Sequence, residues 1–304
     1  MRGILAAMSA ISLRGTYVPL ITPFDAAGEV AVDAIEQLGR EYIEAGCRGI
    51  VALGTTGEST ALDPSERRAV IDACARVCAE SDAQLIVGAG TNSTRTTVAA
   101  VEGLRGIPAL VGALVVVPYY VRPSEAGIVA HFRAAADASP VPLVLYNIAI
   151  RTGRHLSAAG VLEVAEHPNV AAIKQAATGL DLDTLRLLAG APDDFAVLGG
   201  EDPFLFPLTL MGGAGAICAS AHLCTERFVA MIECGLAGKV DEGRRHAEAL
   251  LPVVEAGFAD PNPAVFKAVL HSQGRIPTPD VRAPLTTASP ASLERALAAV
   301  AAAA

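Results

Sequence analysis

Short apolar runs alternate with longer helical stretches eight times between about residues 15 and 240 of this 304-residue chain. Gly, Pro, Asp or Ser marks each switch, as expected at turns and helix starts. Runs such as LVVV and VAAI are apolar at consecutive positions, which is typical of parallel strands covered on both faces. Eight such units predict an α/β fold, a (β/α)8 TIM barrel, and a doubly wound open sheet is the alternative.

Eight strands are predicted from these runs, and the strand signals stop after Cys234. The predicted strands are Tyr17–Ile21, Gly49–Leu53, Gln84–Gly88, Gly112–Val117, Pro142–Tyr146, Val170–Lys174, Phe195–Gly199 and Gly215–Cys218. Three helical stretches follow, near 239–258, 262–273 and 290–303. We therefore expect an irregular N-terminal extension (1–14), the barrel (15–238) and a C-terminal helical appendage (239–304), with no linker between independent domains.

Charge and hydropathy exclude two classes of partner. The net charge is -9 and basic residues form no run, whereas a nucleic-acid surface needs clustered Lys and Arg. No apolar segment reaches the roughly 18 residues of a membrane span, and the apolar stretch near the start is too short and broken for a signal peptide. We expect a cytoplasmic protein that acts on small molecules, in which six scattered cysteines are buried free thiols.

Metal and nucleotide cofactors are not expected either. The six histidines have no metal-ligand spacing with one another or with cysteine. Two glycine-rich stretches, at 88–90 and 212–215, lack the acidic residue of a dinucleotide-binding fingerprint.

Lysine is scarce, because only three of the 23 basic residues are lysines. One of them, Lys174, ends an otherwise apolar strand, at the barrel end where functional groups gather. A neutral amine there could attack a carbonyl carbon to form a Schiff base, and a surface or ion-paired lysine is the alternative. Lys239 lies in a polar stretch and Lys267 on a late helix, so Lys174 is the predicted nucleophile.

Three further features follow predicted strands. The turn GTTGES (54–59) could bind a carboxylate or phosphate through N–H and O–H donors, or be an ordinary turn. Tyr119-Tyr120 and Tyr146 could relay protons or bond backbone carbonyls. Arg151 could bind a substrate carboxylate or form a structural ion pair.

A family resemblance rests on GTTGES (54–59), VVPYY (116–120), YNIAIRTG (146–153), the strand ending in Lys174, GGED (199–202), NPAVFK (262–267) and RAPLTT (282–287). In this order and spacing the motifs resemble the dihydrodipicolinate synthase and N-acetylneuraminate lyase superfamily of pyruvate-dependent class I aldolases. The resemblance implies a covalent imine between Lys174 and pyruvate, with no cofactor or metal. It implies proton transfer by Tyr146, Thr55 and Tyr120. It also implies that Thr56 holds the pyruvate carboxylate and that Gly200 and Ile217 line the pocket.

The Arg151-Thr-Gly motif and the tyrosine pair resemble the synthase branch, in which the arginine holds the carboxylate of aspartate semialdehyde. The resemblance also implies a homotetramer built as a dimer of dimers, with Tyr120 reaching into the neighbouring site. The alternative is a lyase or dehydratase acting on a 2-keto-3-deoxy sugar acid or a 4-hydroxy-2-oxo acid. A non-catalytic ligand-binding member is a third reading.

The chain departs from the family pattern at several positions. Ala149 and Val265 stand where proline is usual, and Gln175 stands where an acidic residue is common. These changes surround the site without removing a reacting group, so they bear on the second substrate. The positions used by lysine-inhibited members carry Pro64, Arg67 and Thr96, which argues against feedback inhibition by lysine.

Overall fold

Eight parallel strands close into a barrel in the computed structural model, which describes residues 12–304. Each strand pairs with the next in chain order, and β8 pairs with β1. The strands are β1 (Gly15–Pro19), β2 (Gly49–Ala52), β3 (Gln84–Gly88), β4 (Leu110–Val116), β5 (Leu143–Asn147), β6 (Val170–Gln175), β7 (Ala196–Gly199) and β8 (Gly215–Ile217). The predicted (β/α)8 barrel is confirmed.

Helices follow the strands around the barrel and continue beyond it. They are α1 (Val32–Glu44), α2 (Pro64–Glu80), α3 (Thr94–Glu102), α4 (Glu125–Ala138), α5 (Ala149–Thr152), α6 (Ala158–Ala165), α7 (Leu182–Gly190), α8 (Leu205–Leu210), α9 (Thr225–Leu236), α10 (Val240–Gly257), α11 (Ala264–Ser272) and α12 (Pro290–Ala303). Helix α2 begins at a reciprocal capping box formed by Asp63 and Glu66, and Pro64 occupies the first turn.

Strand ends differ from the predicted bounds by up to two residues. Strand β1 begins at Gly15 rather than Tyr17, because Gly15 pairs with Gly215 of β8. Strand β4 begins at Leu110, two residues early, where it pairs with Leu85. Hydrogen-bonded pairing with the neighbouring strands determines where a strand begins and ends. The apolar pattern of the sequence therefore predicts these bounds only approximately.

The core has two layers, as a filled barrel requires. Inward-facing side chains pack inside the strands, including Tyr17, Val51, Ile86 and Ile217. A larger cluster fills the space between strands and helices. Aliphatic side chains predominate in both layers.

The C-terminal helices pack on the barrel and on one another. Helix α10 contacts α9 and α12, and a cluster around Phe266 and Val253 joins the last three helices. The three predicted C-terminal helices are confirmed, and the division at residue 238 stays a prediction. Residues 1–11 of the predicted N-terminal extension lie outside the described residues. No helix within 12–304 is long and apolar enough to cross a membrane.

Candidate active site

Lys174 and Tyr146 lie side by side at the carboxyl ends of neighbouring strands. They pair in register between β6 and β5, and the Lys174 Nζ atom lies 4.6 Å from the centroid of the Tyr146 ring. Both are largely buried, with exposed fractions of 8% and 6%. A lysine amine is thus held among apolar strands, where it faces a cavity instead of bulk solvent.

Gly200, directly after β7, makes room for the Lys174 stem. A Cβ atom at this position would lie 2.7 Å from Cε and 2.8 Å from Cγ of Lys174. Any larger residue would therefore displace the Lys174 side chain. The sequence-predicted role of Gly200 as a pocket residue has this steric basis.

The turn after β2 carries Thr55 and Thr56. Its backbone bonds run from the Gly57 N–H to the Gly54 carbonyl (3.1 Å) and from the Glu58 N–H to the Thr55 carbonyl (3.1 Å). Within residues 12–304, the N–H groups of Thr55 and Thr56 donate to no carbonyl or side chain. Two free N–H donors beside two hydroxyls suit a carboxylate.

These groups converge on one cavity of about 500 Å³, called here the lysine cavity. Seven of the eight predicted site residues line it: Thr55, Thr56, Tyr146, Arg151, Lys174, Gly200 and Ile217. A second cavity of about 380 Å³ shares the wall formed by Thr55, Tyr146 and Arg151.

Tyr120 is the predicted site residue that does not reach the lysine cavity of its own chain. Its side chain is 88% exposed, while Tyr119 lines the second cavity. The backbone of Tyr120 has φ 70° and that of Arg122 has φ 47°, a left-handed conformation that non-glycine residues rarely adopt.

Arg151 and Glu201 bring opposite charges to the lysine cavity. Arg151 lies on the short helix α5 that follows β5, and Glu201 lies after β7. The pKa of Glu201 is raised above its usual value, mainly by burial and then by the neighbouring Asp202 carboxylate, and the positive charges of Lys174 and Arg151 offset only part of this rise. The carboxylate of Asp202 is buried and accepts from the Ser220 N–H at 2.7 Å.

Sequence reasoning missed three polar residues that support the threonine turn. Asn262 lines the lysine cavity and contacts Thr56. Lys267, set aside as a late-helix lysine, is fully buried against Glu58. Glu58 lies in the motif GTTGES, and Asn262 and Lys267 lie in the motif NPAVFK. The sequence does not indicate that these two motifs are in contact.

Two of the three departures from the family pattern, Gln175 and Val265, fit their surroundings. The Gln175 side chain accepts from Asn147 Nδ2 (3.2 Å) and donates to Thr184 Oγ1 (3.2 Å), in a buried network of neutral groups. Val265 is fully buried on α11, and Ala149 begins α5. Nothing in the structure explains why alanine rather than proline stands at 149.

One of the three positions associated with lysine inhibition lines the second cavity. Arg67 lines that cavity, while Pro64 begins α2 and Thr96 lies on α3. A cationic guanidinium at this position repels the ammonium groups of lysine, so the absence of lysine inhibition stays a prediction with a physical reason.

The structure also assembles a group that sequence spacing did not indicate. Ligand atoms of Cys234, Glu242 and His246 lie within 4.8 Å of one another. The Lys239 ammonium lies 3.8 Å from the Glu242 carboxylate, and burial raises the pKa of the Cys234 thiol. Both effects oppose the binding of a cation at this surface cluster.

The fold and the lysine cavity define this chain as a (β/α)8 barrel that presents a lysine amine to a small molecule at the carboxyl ends of its strands. The model of the "Dihydrodipicolinate synthetase family" matches residues 12–303. The chain belongs to this family, as its sequence resemblance predicted.

Relatives and solved structures agree with this assignment. The chain is 38% identical over 283 residues to the 4-hydroxy-tetrahydrodipicolinate synthase of Moorella thermoacetica, covering 92% of this chain and 95% of that protein. It is 39% identical over 277 residues to the protein of the same name from Cyanothece sp., covering 90% and 92%. The crystal structure of dihydrodipicolinate synthase from Thermotoga maritima superposes with a TM-score of 0.92 at 30% identity, covering 96% of this chain and 99% of that one.

Proposed function

We propose that this chain condenses pyruvate with aspartate 4-semialdehyde to 4-hydroxy-tetrahydrodipicolinate, a step of lysine and diaminopimelate biosynthesis. The observation that carries the proposal is the Lys174 amine, which lies beside Tyr146 in a cavity that also holds a carboxylate-binding turn and Arg151. The name shared by relatives at 38% and 39% identity supports the same reaction.

Lys174 would act as the nucleophile, and the protonated imine that it forms with pyruvate would be the electron sink, so the proposed reaction uses no external cofactor. Its amine attacks C2 of pyruvate, and loss of water leaves a protonated imine. Loss of a proton from the methyl carbon gives an enamine, which forms the new C–C bond with the aldehyde carbon while the aldehyde oxygen gains a proton. The amino group of the second substrate then adds to the imine carbon and displaces Lys174, so the ring closes and the amine is regenerated.

The threonine turn would hold the pyruvate carboxylate. The N–H groups of Thr55 and Thr56, which have no partner among residues 12–304, and the Thr56 hydroxyl would provide donors after β2. Gly200 and Ile217 line the same cavity. Tyr146 and the Thr55 hydroxyl would transfer protons between the imine and the incoming aldehyde.

The two charged groups at the mouth favour an amino-acid aldehyde as the second substrate. Aspartate semialdehyde carries a carboxylate and an ammonium group, and the lysine cavity offers Arg151 for the first and Glu201 for the second. A sugar acid has hydroxyl groups in place of the ammonium, and Glu201 would then lack a cationic partner in the substrate.

Tyr120 would complete the proton relay in the site of a partner subunit. It is an exposed aromatic on a backbone that costs about 1–3 kcal/mol to hold, beside Val121, which is 55% exposed. An exposed apolar tip of this kind is expected to be covered in an assembly. We propose a dimer in which the sites exchange Tyr120, and a homotetramer formed by two such dimers. The six cysteines are free, five of them buried, which supports a location in the reducing cytoplasm.

Borohydride trapping with pyruvate tests the shared chemistry. We expect one reduced pyruvyl adduct, located at Lys174 by peptide mapping, with Lys239 and Lys267 unmodified. The Lys174→Arg variant is the matched control, and it should form no adduct and have no turnover. Absence of an adduct in the unmodified protein would contradict both the synthase and the lyase readings.

A substrate panel separates the two readings. We expect turnover with pyruvate and aspartate semialdehyde, and none in the retro-aldol or dehydration direction with sugar acids. The Arg151→Ala variant should retain trapping by pyruvate and lose most of the condensation activity. Unimpaired condensation by this variant would refute the assignment of Arg151 to the second substrate.

Mixing two inactive variants tests the role of Tyr120. Lys174→Arg subunits that exchange with Tyr120→Phe subunits should restore activity, because each mixed dimer contains one site with both groups. Random exchange yields about a quarter of the unmodified activity, since about half of the dimers are mixed and each has one of two sites intact. No recovery after verified subunit exchange would show that Tyr120 does not act across the interface.

A further inference from the structure

The hydroxyl of Thr56 accepts a hydrogen bond from a side-chain amide of the C-terminal segment. The Nδ2 atom of Asn262 donates to Thr56 Oγ1 at 3.0 Å. Thr56 is 3% exposed, and both residues line the lysine cavity. This is the one hydrogen bond that the Thr56 side chain makes with the described residues 12–304.

The direction of this bond determines where the Thr56 proton can go. A threonine hydroxyl has one proton to donate and two lone pairs that accept, whereas an amide NH2 group only donates. Because Asn262 supplies the proton in their shared bond, the Thr56 O–H remains free. Thr56 lines the lysine cavity, where the proposed carboxylate of a 2-oxo acid would accept this proton in a charge-assisted bond.

A second contact joins the segment that carries Asn262 to the turn that carries Thr56. Glu58, two residues after Thr56, forms a buried ion pair with Lys267, five residues after Asn262. The Glu58 carboxylate also accepts from the Arg282 N–H at 2.7 Å. The turn after β2 and segment 262–267 are therefore joined at two points, the Asn262–Thr56 hydrogen bond and the Lys267–Glu58 ion pair.

We propose that Asn262 is a positioning residue, whose amide commits the Thr56 proton to the carboxylate of the 2-oxo acid bound at Lys174. The proposal rests on the proposed pyruvate site and adds a role for the C-terminal appendage in it. Without the amide, the Thr56 hydroxyl can rotate and donate elsewhere, so the affinity for the carboxylate falls while the reacting amine is unchanged.

The half-saturating pyruvate concentration for borohydride trapping at Lys174 measures this step without the second substrate. For Asn262→Ala we expect a rise of roughly five- to tenfold, the value of about one hydrogen bond, with the kcat of condensation changed less than about twofold. Asn262→Asp should raise it further, because a carboxylate accepts the Thr56 proton and repels pyruvate. Asn169→Ala is the matched control: its amide bonds two backbone carbonyls far from the cavity, and the trapping curve should not shift.

A double-mutant cycle separates positioning from mere packing. Thr56→Val removes the hydroxyl, so adding Asn262→Ala to it should change half-saturation by less than about twofold. Multiplicative effects of the two changes, or a loss of kcat with unchanged half-saturation, would overturn the proposal. In either case normal trapping in the unmodified protein would leave the proposed function standing, whereas failure of trapping there would refute the function itself.

Discussion

Replacement of Lys267 by methionine should strongly destabilise the fold, although the residue lies outside the reacting groups. The Lys267 ammonium is fully buried. It donates to Glu58 Oε1 at 2.5 Å and to the Asp280 carbonyl at 2.7 Å, and lies 4.0 Å from the centroid of the Phe24 ring. Methionine has a similar length and removes only the charge and its hydrogen bonds.

The expected loss follows from what the substitution leaves behind. The Glu58 side chain remains 1% exposed, with a full negative charge and one backbone donor, the Arg282 N–H. Removing one partner of a buried ion pair costs roughly 3–5 kcal/mol, because the other charge stays uncompensated. For a chain of 304 residues, that loss lowers the Tm by roughly 5–8 °C.

Urea denaturation followed by far-UV circular dichroism measures the loss, with all variants at one protein concentration because assembly contributes to stability. Lys239→Met is the matched control: this lysine is exposed and lies 3.8 Å from Glu242, so it should cost less than about 0.5 kcal/mol. Adding Glu58→Gln to Lys267→Met should recover part of the loss, because the uncompensated charge is then removed. A loss below about 1 kcal/mol for Lys267→Met would refute the reasoning.

Two further predictions concern acid stability and substrate recognition. Burial lowers the pKa of His222 to about 4, so between about pH 6.5 and 4 the unfolded state binds a proton that the folded state does not. The free energy of unfolding therefore falls by up to about 3 kcal/mol as the pH drops through this range. His222→Gln should flatten this decline in urea denaturation at several pH values, and an equal slope in both proteins would contradict it. Glu201→Gln should raise the KM for aspartate semialdehyde several-fold while pyruvate trapping is unchanged. An unaltered KM would show that Glu201 does not meet the ammonium group.

The sequence by itself determined the barrel and the position of its amine. Alternation of apolar runs and helical stretches is a local pattern, and in a closed parallel barrel the carboxyl ends of all strands meet at one face. Lys174, Tyr146 and the threonine turn could therefore be assigned to one site from their positions after predicted strands. Strand bounds were less accurate, as at β1, because they depend on the partner strand.

Tertiary structure decided which distant groups support that site. The Asn262 amide meets the Thr56 hydroxyl across 206 residues, and Lys267 meets Glu58 across 209. It also left Tyr120 exposed, away from the lysine cavity of its own chain. Side-chain hydrogen bonds act over about 3 Å, and only the closure of the barrel and the return of α11 over the turn after β2 bring these groups within that distance. No local sequence pattern encodes a contact between residues so far apart in the chain. Lys174 could therefore be predicted from the sequence, whereas the contacts that support its site could not.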